Sequence, residues 1–194
     1  MGEPQRWLCT VALYGIVPRI WRAIEIDSDI SLHDFNLVIQ AAFGWEFPAG
    51  DYDFYIGDKH FKERNLYDSD DEDRKRPEPI PLYPLLEGLP GQRFRYVRTD
   101  EASWEYTIEL SAIIGGYGSS ARCADGEGAM PTDEFGGNSE YGRFLIGQQD
   151  ASASLRDWYK EWADEAKDSP VWFNSFDLSA ANELLLNLGE FEFI

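Results

Sequence analysis

Residues 104–110 read WEYTIEL, in which Trp104, Tyr106, Ile108 and Leu110 alternate with Glu105, Thr107 and Glu109. A period of two over seven residues fits a strand with one buried and one solvated face. It does not fit a helix, which would wrap the charges through the apolar side. RFRYV at 93–97 alternates in the same way, and DEAS at 100–103 is short enough to join the two runs as a hairpin. Near the start, WLCTVALY at 7–14 sets Trp7, Cys9, Val11 and Leu13 on one face; GIVP at 15–18 turns the chain, and IWRAIEI at 20–26 forms a second strand. Arg22 falls on the side of Ile20, Ile24 and Ile26, where a charge calls for a carboxylate partner or a strand end.

A helix separates the two hairpins. Ser31 with Asp34 three residues on is a capping box; Leu32, Phe35, Val38, Ile39 and Ala42 recur at helical spacing, and Gly44 stops the pattern. Tyr52, Phe54 and Ile56 alternate as a further strand, and Gly57-Asp58 turns into a short one at KHF. LYPLLEGL at 82–89 has room for one helical turn. Helical periodicity returns at Leu155, Trp158, Tyr159, Trp162, Ala163 and Ala166, and again at Ala181, Leu184, Leu185 and Leu188, with Asp177 or Ser179 as N-cap. This order predicts a single α+β domain over 1–194: a β-grasp-like mixed sheet of hairpin, helix and hairpin, with C-terminal helices packed on it. Its parts are a sheet-plus-helix core at 1–114 carrying a mobile acidic loop at 63–81, a Gly- and acid-rich cover loop at 115–142, and helices from 143 to 194.

The chain's net charge of −19 argues against nucleic acid or an anionic membrane as a direct ligand, and favours a basic protein partner if it has one. No apolar run reaches membrane-spanning length, the start MGEPQRW has no leader pattern, and two cysteines make no disulfide framework, so the expected compartment is the cytoplasm.

Specific chemistry finds little purchase. The two histidines, His33 and His60, stand in no ligand spacing, and Asp125, Glu127, Asp133 and Glu134 of the loop CADGEGAMPTDEFGG (123–137) miss the calcium-loop pattern, so neither metal nor cofactor is expected. Cys123 follows Arg122, which favours a thiolate, but no histidine is near it in sequence. GGYGSS at 115–120 lacks the ending of a phosphate loop. Arg19, Trp21 and Arg22 combine guanidinium donors with a large aromatic, as recognition surfaces do.

The motifs GIVPRIWRAIEI, SLHDFNLVIQAAFGW, YDFYIG, RFRYV…WEYTIEL, CADGEGAMPTDEFGG…YGRFL and FDLSAANELL occur in one order from about residue 7 to about 188. In that order they resemble the plasmid pRiA4b ORF-3-like family, a biochemically uncharacterised group associated with plasmids and mobile elements. The resemblance implies a set of histidines and aspartates, which here are replaced by Gly50, Tyr52, Thr99, Ala102 and Tyr106. It also implies three loop cysteines, of which Cys123 remains, with Met130 and Phe135 in the other places. With that polar set substituted, Trp45, Tyr52, Trp104 and Tyr106 either line an aromatic cleft or extend the core. The resulting expectation is a non-enzymatic protein-binding module. The alternatives are an acidic inhibitor or DNA mimic acting on a basic nucleic-acid-binding protein, and an enzyme using Cys123 with the loop carboxylates.

Overall fold

The structure is a computed structural model that describes residues 4–45, 51–63, 79–86, 90–99, 103–128, 136–150 and 176–188. Its strands are β1 (Arg6–Leu13), β2 (Trp21–Asp27), β3 (Asp51–Ile56), β4 (Lys59–Glu63), β5 (Arg93–Thr99), β6 (Ser103–Ile114) and β7 (Arg122–Glu127). Its helices are α1 (Leu32–Phe43), α2 (Asn138–Asp150) and α3 (Leu178–Asn187), with a 3-10 turn at Tyr83–Leu85. The strands form one sheet in the order β4-β3-β5-β6-β1-β2-β7.

The alternation read at 104–110 holds. Trp104, Tyr106, Ile108 and Leu110 are buried, as are Trp7, Cys9, Val11 and Leu13 of β1. α1 lies across that face: Phe35 stacks 6.0 Å from Phe54 and Phe43 meets Tyr106 edge-on at 5.0 Å. Its ends are set locally. Ser31 Oγ accepts from the Asp34 N–H, and Gly44 ends the helix with its N–H donating to the Ala41 carbonyl. Leu82, beside the 3-10 turn, is fully buried over the start of α1, where Leu32 N–H donates to Ile80 and Leu82 N–H to Ile30.

Two expectations are corrected. The sheet is not mixed: every pairing among the described residues is antiparallel. Its neighbours in space are joined by reversing turns, or by longer segments that return on the opposite heading, and the strand order lends no support to a β-grasp arrangement. Nor is 115–142 simply a cover loop. Arg122–Glu127 is β7, which pairs with β2 through a bulge at Ala23/Ile24. The helix read at 155–166 and most of the acidic loop lie outside the described residues.

Two asparagines finish strand edges. Asn182 of α3 accepts from the Cys123 N–H (3.0 Å) and donates to the Cys123 carbonyl (2.9 Å). Asn138 does the same for Glu105, beyond the end of β1, at 2.7 and 2.8 Å. A side-chain amide carries the donor and acceptor of a peptide unit, so each asparagine stands in for a neighbouring strand.

Candidate functional site

The sequence-derived residues separate into a buried cluster and an exposed hairpin tip. In the cluster, Tyr52, Arg98 and Trp104 stand side by side across β3, β5 and β6, and Phe54, Tyr96 and Tyr106 form the next row. Trp45, just past α1, sits on this lattice: the Arg98 guanidinium lies 4.0 Å from its ring, its Nε1 donates to Tyr106 Oη at 3.4 Å, and Trp104 packs 6.2 Å away. Tyr96 Oη and Gln40 Nε2 both donate to Asn36 Oδ1, at 2.6 and 2.8 Å, and Tyr52 Oη lies 3.4 Å from His33 Nδ1.

Trp45, Tyr52, Trp104 and Tyr106 are therefore brought together, but as core: they are 8, 4, 0 and 1% exposed. The alternative left open at these positions resolves to packing, because α1 and Trp45 lie directly on the sheet face they share. Thr99, another substituted position, is on the opposite face, donating to the Asp51 carbonyl at 3.3 Å. Gly50 and Ala102 lie outside the described residues.

Arg22 is also interior, at 2% exposure; it stands second in β2, at a strand end, and among the described residues its hydrogen-bond partners are carbonyls rather than a carboxylate. Its Nε donates to Ala42 O in the last turn of α1, and its Nη1 donates to Trp21 O and Glu127 O. The guanidinium is held between the rings of Phe43 (4.7 Å) and Phe176 (4.0 Å). Three carbonyls and two π faces replace the expected carboxylate. Burial lowers its pKa to about 10, which leaves it charged at neutral pH. Gly126 is required here: a Cβ would stand 2.9 Å from Arg22 Cδ and 2.8 Å from Trp21 O.

Cys123 is buried beside Arg22, with its thiol donating to Asp125 O. Burial pushes that thiol up, and the Arg22 charge only opposes the shift. This is the reverse of an activated thiolate. Asp125 is exposed and accepts from the Gly126 N–H; Asp133, Glu134, Met130 and Phe135 lie outside the described residues. Among the described residues, no group of three His, Cys, Asp or Glu side chains is placed to hold a metal ion.

Arg19 and Trp21 remain at the surface. The Arg19 guanidinium lies 5.8 Å from the Trp21 ring, whose Nε1 donates to Glu127 at 3.4 Å. They flank the β1–β2 connection, where Ile16 and Ile20 are buried as anchors while Tyr14 and Val17 are 57 and 78% exposed. Sequence reasoning missed Tyr14 and Val17 as surface groups, and missed Asn36, Gln40, Tyr96 and Arg98 as the polar heart of the cluster.

The architecture, an antiparallel sheet with helices against it, defines an α+β protein. The family model described as plasmid pRiA4b ORF-3-like protein matches residues 6–182, and the chain belongs to that family. Its fold is similar to that of a crystal structure of a protein of unknown function, MM3350, from Methanosarcina mazei Go1. That match has a TM-score of 0.66 at 17% identity and covers 92% of this chain and 98% of that one. No curated protein matches. Among the described residues, no helix is long and apolar enough to cross a membrane.

Proposed function

We infer that this chain is a non-enzymatic, cytoplasmic protein-binding member of its family, docking a protein partner through the tip of the β1–β2 hairpin. The observation that carries this reading is the company Arg19 and Trp21 keep. A guanidinium and an indole stand beside exposed Tyr14 and Val17 on a loop pinned from within by Ile16 and Ile20. Aromatic and arginine anchors on a rigid support are what protein interfaces use. The net charge of −19 favours a basic partner.

The alternatives draw less support. A DNA mimic needs a stripe of unpaired carboxylates, whereas the described carboxylates of the outer face are interleaved with arginines, as in Arg6 with Asp27, Arg122 with Glu25, Arg93 with Glu109 and Arg95 with Glu105. An enzyme built on Cys123 would need a reactive thiolate, and burial works against one.

The test is capture from the native host by the wild-type chain and by a Val17→Ser, Trp21→Ser variant, followed by titration of the purified partner. The variant is expected to lose that partner at least tenfold while keeping the wild-type fold. Equal affinity, or hydrolase or transferase activity restored by added metal, would overturn the reading.

A further inference from the structure

Among the described residues, β4 and β7 are the two ends of the sheet, and they are finished differently. β7 is closed by Asn182 at Cys123. β4 runs through Lys59, His60, Phe61 and Lys62 and is joined to β3 by the two residues Gly57-Asp58, with Ile56 paired to Lys59. A two-residue turn makes its flanking pair the hydrogen-bonded one, and the antiparallel ladder alternates from there. His60 and Lys62 consequently aim their backbone N–H and C=O groups away from β3.

The side chains set what fits this edge. Phe61 faces the core side opposite Phe54 and is half-buried against it. His60 and Lys62 lie on the outer face. His60 is held by Asp53 Oδ1 at 2.9 Å and stacked 4.4 Å from Tyr55; Lys59 and Lys62 are exposed. A strand added here places two residues on the outer face opposite His60 and Lys62, and one residue between them against Phe61.

We propose that the β4 edge, four strands away from the β1–β2 hairpin tip, accepts an extended acidic peptide as an eighth strand, read as acid–apolar–acid. Edge lysines repel most strands, and an acidic one turns that repulsion into attraction. A second copy of this chain does not fit. A two-fold axis at Phe61 would set each His60 against the other copy's Lys62 and place the exposed edge lysines of both copies along one seam.

The experiment is fluorescence anisotropy of the peptide Gly-Gly-Glu-Val-Glu-Val-Glu-Gly-Gly with the full chain, with amide chemical shifts recorded in parallel. Binding is expected to be saturable, with shifts centred on His60 and Lys62. It should fall at least tenfold in Lys62→Glu, whose exposed site leaves the fold intact by circular dichroism. It should fall equally for a peptide N-methylated at the amides facing β4, which keeps the charge and loses the ladder. Any of four results would overturn the proposal: no binding of the parent peptide, equal binding of the N-methylated or a Lys-for-Glu peptide, shifts centred elsewhere, or a dimer of the chain that Lys62→Glu dissolves.

Discussion

Replacing Arg22 with methionine removes one side chain from the junction of α1, β2, β7 and the approach to α3. Three carbonyl oxygens, of Ala42, Trp21 and Glu127, lose their donor. A buried acceptor left bare costs about 1–3 kcal/mol; Trp21 and Glu127 also face each other in the β2–β7 ladder, so the gross loss lies between that of Ala42 alone and about three times it. Two cation–π contacts go as well, at about 0.5–2 kcal/mol each. Against this, the variant no longer holds a desolvated guanidinium, which releases several kcal/mol, and methionine keeps part of the packing between Phe43 and Phe176. The net expectation is a destabilisation of about 2–4 kcal/mol, which in a chain of this length lowers Tm by about 5–15 °C. Arg22→Lys should be no better than methionine despite keeping the charge, because an ammonium is more strongly hydrated and cannot reach three carbonyls from a flat fork. Urea unfolding followed by tryptophan fluorescence measures both. If both variants stay within about 0.5 kcal/mol of wild type, as surface positions do, or if lysine rescues, the keystone assignment of Arg22 is wrong.

Gly126→Ala should destabilise by about 1–3 kcal/mol through overpacking, since its Cβ would meet Arg22 and Phe176 at 2.9 Å; a thermal melt unchanged from wild type would refute the close approach. Asn182→Leu should cost about 1–3 kcal/mol by baring the Cys123 backbone groups, and should raise aggregation measured by light scattering. Neither thiol should react quickly with a disulfide reagent at pH 8 in the folded chain, because burial raises Cys9 to about 12 and also raises Cys123; both should react once urea unfolds it, and a fast native Cys123 would revive the thiolate reading. Glu25, hydrogen-bonded by Arg122, has its carboxyl held below its ordinary 4.5. A folded value below the unfolded one gives stability that is present above about pH 4.5 and lost as pH falls through the lowered value. Glu25→Gln should therefore flatten that part of the acid limb of a Tm-against-pH curve.

Where periodicity alone decides an outcome, the sequence was sufficient: the alternation of β1 and β6, the Ser31 cap and the Gly44 stop all appear where the pattern placed them. The buried cluster was half legible. Asn36 and Gln40 stand one turn apart on the apolar stripe of α1, and a polar pair on such a stripe marks a helix resting on polar groups of a sheet; here those are Tyr96 and its neighbours. Asn138, Asn182 and Arg22 were legible only as misfits. Asn138 acts on backbone groups up to 124 residues away, Asn182 on one 59 away and Arg22 on one up to 105 away, and nothing in a neighbouring side chain betrays a carbonyl that needs a donor. A charge on an apolar face has two resolutions, a partner outside the chain or backbone acceptors within it. The deciding quantity is how many strand and helix ends converge on the spot. At Arg22 the last turn of α1, the β2–β7 bulge and Phe176 all converge, so the guanidinium is 2% exposed and its described partners are backbone carbonyls and rings.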